Sequence, residues 1–407
     1  MDKTAVFHEL DELKHEMEEA LMTLISTPAI APENGGDGEE QKTERLSQIL
    51  REVGFDKIER YDAEDHRVSS GKRPNIVAMV NGESDKRLWI VTHLDVVPAG
   101  EESAWTVTKP FKPVLTGDRV YGRGSEDNGQ SLVASVYAVK ALKRLGIKPK
   151  KTIALAFVAD EEQGSTLGIQ YLIDKELFRR DDLVLVPDAG NENGSFIEVA
   201  EKSILWFKLR TIGKQTHGSL PHKGLNAHRI GMQVSLALDK MLHEKYFFRD
   251  YMFDVPESTF EPTKKERNVD AVNVIPGEDI VYFDCRIHPN YDLDEVLGDI
   301  NNVLSDFEVK TGAKIKLEIL QKQASAELES GNSEIVVLLK EAVKEARGLD
   351  ASVGGIGGGS CAAFFRKIGI AAVVWSTVDE VAHQPDEYSK VANMVADAKV
   401  FALLAMK

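Results

Sequence analysis

With 407 residues, the chain exceeds the roughly 250–300 residues over which one hydrophobic core usually extends, so two domains are expected. Its 66 Asp and Glu residues outnumber its 50 Lys and Arg residues, and the formal charge of −16 argues against nucleic acid, whose phosphates such a surface repels. The two cysteines share no CxxC motif, and neither a signal-peptide pattern nor an apolar run of bilayer length is present, which predicts a cytoplasmic protein without a disulfide framework or membrane contact.

The first half of the chain alternates helical stretches with apolar runs of strand length. An amphipathic helical pattern over residues 1–27 is followed by a polar, glycine-rich loop and a second helix that ends at Gly54. Apolar runs then predict the buried strands NIVAMV, LWIVTHLD, TIALAFVAD and DLVLVPDAG. This order predicts an α/β domain with a mostly parallel sheet and helices on both faces. Ligands of such sheets collect at the carboxyl ends of the strands.

The pattern changes from about Ser203, where the strands acquire polar outward positions. The runs ILWFKLRTIG, AVNVIPG, IVYFDCRIHP and KIKLEIL predict four strands, and residues 226–244 and 292–311 predict two helices. Their order predicts a small α+β sandwich of βαββαβ type.

The sandwich interrupts the first domain, because the α/β pattern returns after about residue 322. We therefore expect one domain over residues 1–202 and 322–407 and an inserted domain over residues 203–321. The segment 246–270 is long and irregular for a connection, which indicates a functional or partner-contacting loop.

A histidine and an aspartate stand two residues apart where the second strand stops. Side chains at positions i and i+2 of a strand point to the same face, so His93 and Asp95 could act on one metal ion. A structural pair, in which the aspartate holds a buried histidine, is the plainer interpretation.

Four further junctions between a strand and a helix carry residue types that bind metals. They are Asp127 in GRGSEDNGQS, Glu161 and Glu162 in DEEQGS, Asp188 in VPDAG and His383 in AHQPDEY. Each alone has a plainer interpretation: a helix N-cap for Asp127, a solvated strand end for the other acids and a loop residue for His383.

The combination favours a metal centre, because five junctions each place a nitrogen or oxygen ligand at one sheet edge. Two histidines and three carboxylates exceed the ligands of one tetrahedral zinc ion but fit two ions that share a bridging carboxylate. One acid is then left over. Nitrogen and oxygen ligands without thiolates suit zinc, and cobalt or manganese could substitute.

The motifs together resemble the co-catalytic zinc amidohydrolases and peptidases, which include aminoacylase, acetylornithine deacetylase, succinyl-diaminopimelate desuccinylase, glutamate carboxypeptidase and bacterial dipeptidases. The resemblance rests on HLDVVPAG, GRGSEDNGQS, DEEQGS, VPDAG, THGSLPHKGLNA and AHQPDEY, in the family's order and spacing, and covers nearly the whole chain. It implies a zinc-peptidase-like catalytic domain with two zinc ions per subunit and an inserted lid and dimerisation domain.

The resemblance also assigns the metal ligands. It implies that His93 and Asp188 bind one zinc ion, that Glu162 and His383 bind the other, and that Asp127 bridges the two. The peptide bond after the bridging aspartate is cis in relatives, which predicts a cis bond at this position.

Three residues receive roles in catalysis by the same resemblance. Asp95 would orient His93, and Glu161 would be the general base that takes a proton from water and returns it to the departing amine. His217 would reach the oxyanion in the active site of the partner subunit, so a homodimer with composite sites is expected. An exposed loop histidine is the plainer interpretation of His217.

Substrate-binding residues are suggested in two stretches. Arg286 and Asn273 stand where relatives bind a substrate carboxylate, although a surface salt bridge would give the same sequence pattern at Arg286. In GGIGGGS, residues Gly358, Gly359 and Ser360 could hold a substrate carboxylate or let the backbone pass close to the metals. The run lacks the spacing of a dinucleotide-binding loop.

The leading hypothesis is a dizinc hydrolase that cleaves the amide bond of an N-acyl amino acid or of a short peptide with a free carboxylate. Several desuccinylases and deacetylases carry glutamate where this chain has Asp188, whereas aminoacylases and dipeptidases more often carry aspartate, so a dipeptidase or carboxypeptidase stays open. A hydrolase of esters or phosphates and a homologue that binds metal or peptide without turnover are the remaining hypotheses.

Overall fold

The computed structural model describes residues 3–407, and over that range the chain forms two compact units. The first unit contains the residues up to Val199 together with Leu328–Val353 and Ser360–Lys407, and the second contains Ala200–Glu327 and Gly354–Gly359. These boundaries lie within a few residues of those expected from the sequence. The glycine-rich segment Gly354–Gly359 departs from that expectation, because it belongs to the second unit and was expected in the first.

Ten α-helices and seventeen strands occur among the described residues. The helices are α1 Lys3–Glu12, α2 Lys14–Ile25, α3 Glu40–Val53, α4 Ser131–Arg144, α5 Ile169–Asp174, α6 Ala227–Lys245, α7 Leu293–Thr311, α8 Glu334–Arg347, α9 Ala362–Lys367 and α10 Val391–Met406. The strands are β1 Lys57–Glu64, β2 Lys72–Val80, β3 Ser84–His93, β4 Val114–Thr116, β5 Arg119–Tyr121, β6 Lys151–Val158, β7 Leu183–Asn191, β8 Phe196–Glu201, β9 Ser203–Ile212, β10 Thr216–His217, β11 Thr259–Lys265, β12 Val274–Ile275, β13 Glu278–Ile287, β14 Lys314–Gln323, β15 Ser352–Ile356, β16 Ala371–Thr377 and β17 Tyr388–Lys390.

An eight-stranded sheet runs through the first unit in the order β1-β2-β6-β3-β7-β16-β8-β15. Its four middle strands, β6, β3, β7 and β16, are parallel to one another. On either side of them, β2 is antiparallel to β6 and β8 is antiparallel to β16. The predicted α/β fold class with a mostly parallel sheet is confirmed.

Helices cover both faces of this sheet, because its strands are apolar on both sides. Ile90 and Leu155 pack in a core that includes residues of α1, α2, α3, α4, α8 and α10. Their chain neighbours Val91 and Ala156 point to the opposite face and pack in a second core with residues of α5 and α9. Nearly continuous apolar runs, such as the end of β3, are therefore what this position in the fold requires.

The parallel strands deliver polar residues to one edge of the sheet. His93, the last residue of β3, pairs in register with Val158, the last residue of β6. Glu161 and Glu162 follow β6, and Asp188 lies in the second half of β7, the other neighbour of β3. Residues that are far apart in the sequence thus come from adjacent strands.

The second unit contains a four-stranded antiparallel sheet in the order β11-β13-β9-β14. Along β9, Leu205, Phe207 and Leu209 are buried in a core with residues of α6 and α7, whereas Trp206 and Arg210 are exposed. This alternation is typical of a sheet with one covered face. The chain order β9-α6-β11-β13-α7-β14 confirms the predicted βαββαβ arrangement.

One strand of that sheet differs from the sequence prediction. The run AVNVIPG forms only the short strand β12, which pairs with β10, and the second strand of the sheet is β11, within the segment expected to be irregular. β11 contains Pro262 and is exposed over most of its length. Proline and charged residues are typical of edge strands, and they conceal the apolar alternation by which a strand is recognised.

Neither cysteine is exposed. Cys285 and Cys361 are free and buried, and burial raises the pKa of the Cys361 thiol well above its usual value. Cys361 therefore acts as a small packed residue rather than as a reactive thiolate. Within residues 3–407, no helix combines the length and the apolar character that crossing a membrane requires.

A buried ion cluster fixes the amino-terminal ends of β3 and β7. Asp182, which is 1% exposed, accepts hydrogen bonds from Arg87 Nε at 2.9 Å and Nη2 at 2.6 Å. It also accepts from Trp89 Nε1 at 2.8 Å and from the backbone N–H of Arg179 at 2.8 Å. All four donors depend on one carboxylate.

We expect Asp182→Ala to lower the free energy of unfolding by about 3–5 kcal/mol, because it leaves a buried guanidinium without its partner. Urea denaturation followed by circular dichroism measures the change. Asp85→Ala is the matched control, since the Asp85 side chain is 99% exposed and lies 3.8 Å from Arg179. Similar destabilisation by both substitutions would contradict the role given to Asp182.

Candidate metal centre

Six side chains of the first unit converge at the carboxyl edge of its sheet. They form two groups, one of His93, Glu161 and Asp188 and one of Asp127, Glu162 and His383, and within each group the possible ligand atoms lie within 4.8 Å of one another. All five residues expected to bind metal are therefore close together, and the expected general base is among them.

Asp127 lies between the two histidines. Its Oδ1 is 2.7 Å from Nε2 of His93, and its Oδ2 is 2.9 Å from Nε2 of His383. Each oxygen of one carboxylate thus faces a different histidine, which is the arrangement that a shared ligand requires. The peptide bond between Asp127 and Asn128 is cis, as expected.

The ring of His93 is oriented for metal binding through Nε2. Its Nδ1 lies 3.0 Å from the backbone carbonyl oxygen of Asp95, an acceptor that fixes the proton on Nδ1. Nε2 then points towards the carboxylates of Asp127 and Asp188, the latter at 3.3 Å. The lone pair on Nε2 and the carboxylate oxygens repel one another unless a positive charge lies between them. A divalent cation would supply that charge.

The second group also fits a cation. Glu162 Oε1 is buried and accepts no hydrogen bond from any described residue, although it lies 3.3 Å from Nε2 of His383. A buried carboxylate oxygen without a donor is costly unless a cation satisfies it. The nitrogen and oxygen donors of both groups suit zinc and similar divalent ions.

The charges of the site act on one another strongly. Hydrogen bonding to Asp127, together with the close negative charge of Glu162, raises the pKa of His383 to about 10. Burial lowers the pKa of His93, but the charges of Asp188 and Asp127 outweigh it and raise that pKa well above its usual value. Without a cation both histidines would hold protons, so metal binding must displace protons from this site.

The backbone N–H of Glu161 donates to the Asp95 carboxylate, and the pKa of the Glu161 side chain is shifted. Burial, with the neighbouring charge of Asp188, raises the pKa of Glu161 well above its usual value. A carboxyl group with a raised pKa beside possible metal ligands has the properties of a general base, and it also lies within reach of a cation at His93 and Asp188.

The role expected for Asp95 needs a correction. Its carboxylate Oδ1 is 3.6 Å from Nδ1 of His93, too long for a hydrogen bond, and the backbone carbonyl of the same residue makes that contact instead. The carboxylate accepts the backbone N–H groups of Glu161 at 3.1 Å and Glu162 at 3.0 Å. Asp95 lies two positions beyond the end of β3, so the alternation of the strand does not set the direction of its side chain.

Two contributors were not recognised in the sequence. Asn128 donates from Nδ2 to Asp188 Oδ1 at 2.6 Å and thereby connects the two groups. Lys42 is buried and donates from Nζ to the backbone oxygen of Leu94 at 2.8 Å, and burial lowers its pKa to about 8. A lysine on the apolar face of the amphipathic helix α3, one turn before Leu46, was the available signal.

His217 and Asn273 lie at a short two-stranded ribbon of the second unit. His217 in β10 pairs with Val274 in β12, its Nδ1 lies 2.8 Å from Ser219 Oγ, and its side chain is exposed. The backbone N–H of Gly218 donates to the carbonyl of Asn273 at 2.7 Å. His217 and Asn273 are therefore neighbours.

Arg286 is not a free guanidinium. Its Nε and Nη2 donate to the two oxygens of Asp284 at 2.7 and 3.0 Å, and Nη1 donates to the carbonyl of Gly357 at 3.2 Å. The salt bridge that was the alternative to substrate binding at Arg286 is therefore present within the second unit. Of the glycine-rich run, Gly358 and Gly359 belong to the second unit, whereas Ser360 belongs to the first, where its Oγ accepts the N–H of Ala362.

Relatives of this chain are metallohydrolases. An uncharacterised metallohydrolase of Methanocaldococcus jannaschii is 40% identical over 393 residues, which cover 93% of this chain and 96% of the relative. A succinyl-diaminopimelate desuccinylase of Pelagibacter ubique is 26% identical over 388 residues, with coverages of 93% and 95%.

Solved structures share the fold. The dipeptidase Dug1p of Saccharomyces cerevisiae superposes with a TM-score of 0.79 at 18% identity, over 100% of this chain and 98% of its own. The YXEP protein of Bacillus subtilis, a dinuclear metal-binding peptidase of the M20 family, gives a TM-score of 0.65 at 14% identity, over 97% and 98%.

The family follows from these similarities and from a match of residues 89–407 to the model of peptidase family M20/M25/M40. The family resemblance expected from the motifs is confirmed. The protein is a metal-dependent hydrolase that belongs to peptidase family M20/M25/M40.

Proposed function

We propose that this hydrolase cleaves the amide bond of an N-acyl amino acid or of a short peptide with a free carboxylate, using two divalent cations. The observation that carries the proposal is Asp127, whose two oxygens face different histidines while a further acid stands beside each of them. The names of relatives support amide chemistry, since they include a desuccinylase and a dipeptidase.

In this proposal His93 and Asp188 hold one cation, Glu162 and His383 hold the other, and Asp127 bridges them. Zinc is the preferred ion for such nitrogen and oxygen ligands, with cobalt or manganese as substitutes. The cations, when bound, would polarise the amide carbonyl and lower the pKa of the attacking water.

Glu161 is proposed as the general base. Two nearby cations would lower its raised pKa, which leaves a carboxylate able to take a proton from water and return it to the amine. Asp95 supports this role, because its carboxylate fixes the backbone N–H groups on which the Glu161 side chain depends.

The active unit is proposed to be a homodimer formed through the second unit, with His217 of each copy completing the site of the other. An apolar groove of about 450 Å³ lies between α6 and β11 and is lined by Met232, Leu236 and Val281 among others. Leu236 is 70% exposed, and β11 is an edge strand of its sheet. An open edge beside exposed apolar residues supports pairing with a second copy.

A dipeptidase or carboxypeptidase remains the second candidate, and Asp188 favours it over a desuccinylase. The presence of Glu161 together with a full set of possible ligands argues against a homologue that binds without turnover. The free, buried state of Cys285 and Cys361 is compatible with the proposed reducing, cytoplasmic location.

The substrate class is tested with purified protein assayed on N-acetyl and N-succinyl amino acids beside dipeptides. We expect amide hydrolysis in one of these groups, its loss after dialysis against a chelator and its return with added zinc. Esters and phosphate esters serve as controls. Hydrolysis of those compounds alone, or full activity after metal removal, would contradict the proposal.

We expect Glu161→Gln to lower kcat by at least about 10²–10⁴-fold, because the amide cannot accept a proton from water. Metal analysis of the same protein should still find two cations per chain. Glu12→Gln is the matched control, since Glu12 is an exposed glutamate of the same unit. Unchanged turnover in Glu161→Gln, or loss of a cation with it, would assign Glu161 another role.

Composite sites predict complementation between two inactive variants. We expect His217→Ala to lose about 10²–10³-fold in kcat through the missing oxyanion contact. Mixing it with Glu161→Gln under conditions of subunit exchange should restore about a quarter of wild-type activity, because half of randomly formed dimers contain one intact site. Mixed dimers, identified by mass spectrometry, that stay inactive would show that His217 does not act across subunits.

A further inference from the structure

Two buried glutamates stand beside possible metal ligands without being ligands themselves. Glu126, which is 5% exposed, directly precedes Asp127, and Glu387, which is fully buried, follows His383 in the same loop, directly before β17. Neither contributes to the two groups of converging ligand atoms.

The carboxylate of Glu126 reaches into the loop that carries His383. Its Oε1 accepts the backbone N–H of Asp379 at 2.6 Å, and its Oε2 accepts those of Val381 at 2.7 Å and Ala382 at 2.9 Å. The last of these donors is the residue before His383. His383 has a φ of +64°, a left-handed conformation unfavourable for a non-glycine residue, so its backbone needs such external restraint.

The carboxylate of Glu387 makes the reverse connection. It accepts the backbone N–H groups of Gly124 at 3.1 Å, Glu126 at 3.0 Å and Asp127 at 3.2 Å, and it also accepts a hydrogen bond from the guanidinium of Arg123. Each loop thus contributes one carboxylate that binds the backbone of the other loop.

We propose that Glu126 and Glu387 are positioning residues that hold His383 and Asp127 at the spacing a cation requires. Glu126 would set the affinity of the second metal site, that of Glu162 and His383, whereas Glu387 would support both sites through the bridging Asp127. The proposal rests on the metal-binding role in the proposed function. The first site would depend on Glu126 less, because His93 is oriented by the backbone of Asp95 and Asp188 is held by Asn128.

A purely structural role predicts a different result. If the Glu126 carboxylate only stabilised the unit, its loss would weaken both cation sites alike or neither. A positioning role predicts that the second site weakens selectively, since three N–H donors lose a charged acceptor only on the loop of His383.

The test is a calorimetric titration of the metal-free full-length protein with Co²⁺, which separates two binding steps. His383→Ala identifies the step that belongs to the second site. We expect Glu126→Gln to weaken that step by roughly 10- to 100-fold and to leave the other within about threefold. Glu380→Gln is the matched control, because Glu380 is an exposed glutamate of the same loop, and it should leave both steps unchanged.

Equal weakening of both steps, or none, in a folded Glu126→Gln variant overturns the proposal. Should Glu126→Gln not fold, Glu126→Asp keeps the charge but shortens the side chain, and it must weaken the same step selectively. A wild-type protein that binds no Co²⁺ would overturn the proposed function itself, whereas two normal steps in wild type and variants would overturn only the positioning role.

Discussion

Crowded negative charge at the carboxyl edge of one sheet constrains the structure around it. Five carboxylates meet there, from Asp95, Asp127, Glu161, Glu162 and Asp188. Burial together with neighbouring carboxylates raises the pKa values of Glu161 and Glu162. Groups of one sign stay ionised at such distances only where positive charge or hydrogen-bond donors are brought to them. Metal binding is therefore the natural use of this edge, because two divalent cations would supply most of the missing charge.

Backbone N–H groups supply much of the rest. Asp95 and the two buried glutamates of the loops, Glu126 and Glu387, each accept two or three N–H donors from a chain segment that carries another residue of the site. These contacts fix segments that have little regular structure of their own, because charged acceptors hold N–H donors more strongly than neutral ones do. Two buried side chains add positive charge: Arg123 donates to Glu387, and Lys42 donates to the backbone oxygen of Leu94. Charge compensation and loop geometry are thus achieved by the same hydrogen bonds.

Most of the residues that converge were recognisable in the sequence because they follow apolar runs, and parallel strands bring the ends of such runs to one edge. Asp127 stands in a glycine-rich turn and was recognised by its motif. The residues that position the converging side chains were not recognisable, because their partners are remote: Glu387 and Glu126 are 261 positions apart. Local geometry was the second limit. Asp95 lies beyond the end of β3, so its side chain serves the turn of Glu161 rather than His93. In the second unit, the proline and charges of β11 masked an edge strand, although the βαββαβ order was correct.

The guanidinium expected to bind a substrate carboxylate is already paired in the second unit. Arg286 donates to both oxygens of Asp284, so a substrate carboxylate at this guanidinium would share it with a negative neighbour. The repulsion from that neighbour offsets part of the attraction, and Arg286 then favours a carboxylate less than an unpaired arginine would. A neutral amide donor, such as that expected of Asn273 next to the β10–β12 ribbon, would not meet this repulsion. An amide donor binds a peptide carbonyl and a carboxylate alike, so selectivity between acyl amino acids and peptides would follow from the shape of the acyl side rather than from charge.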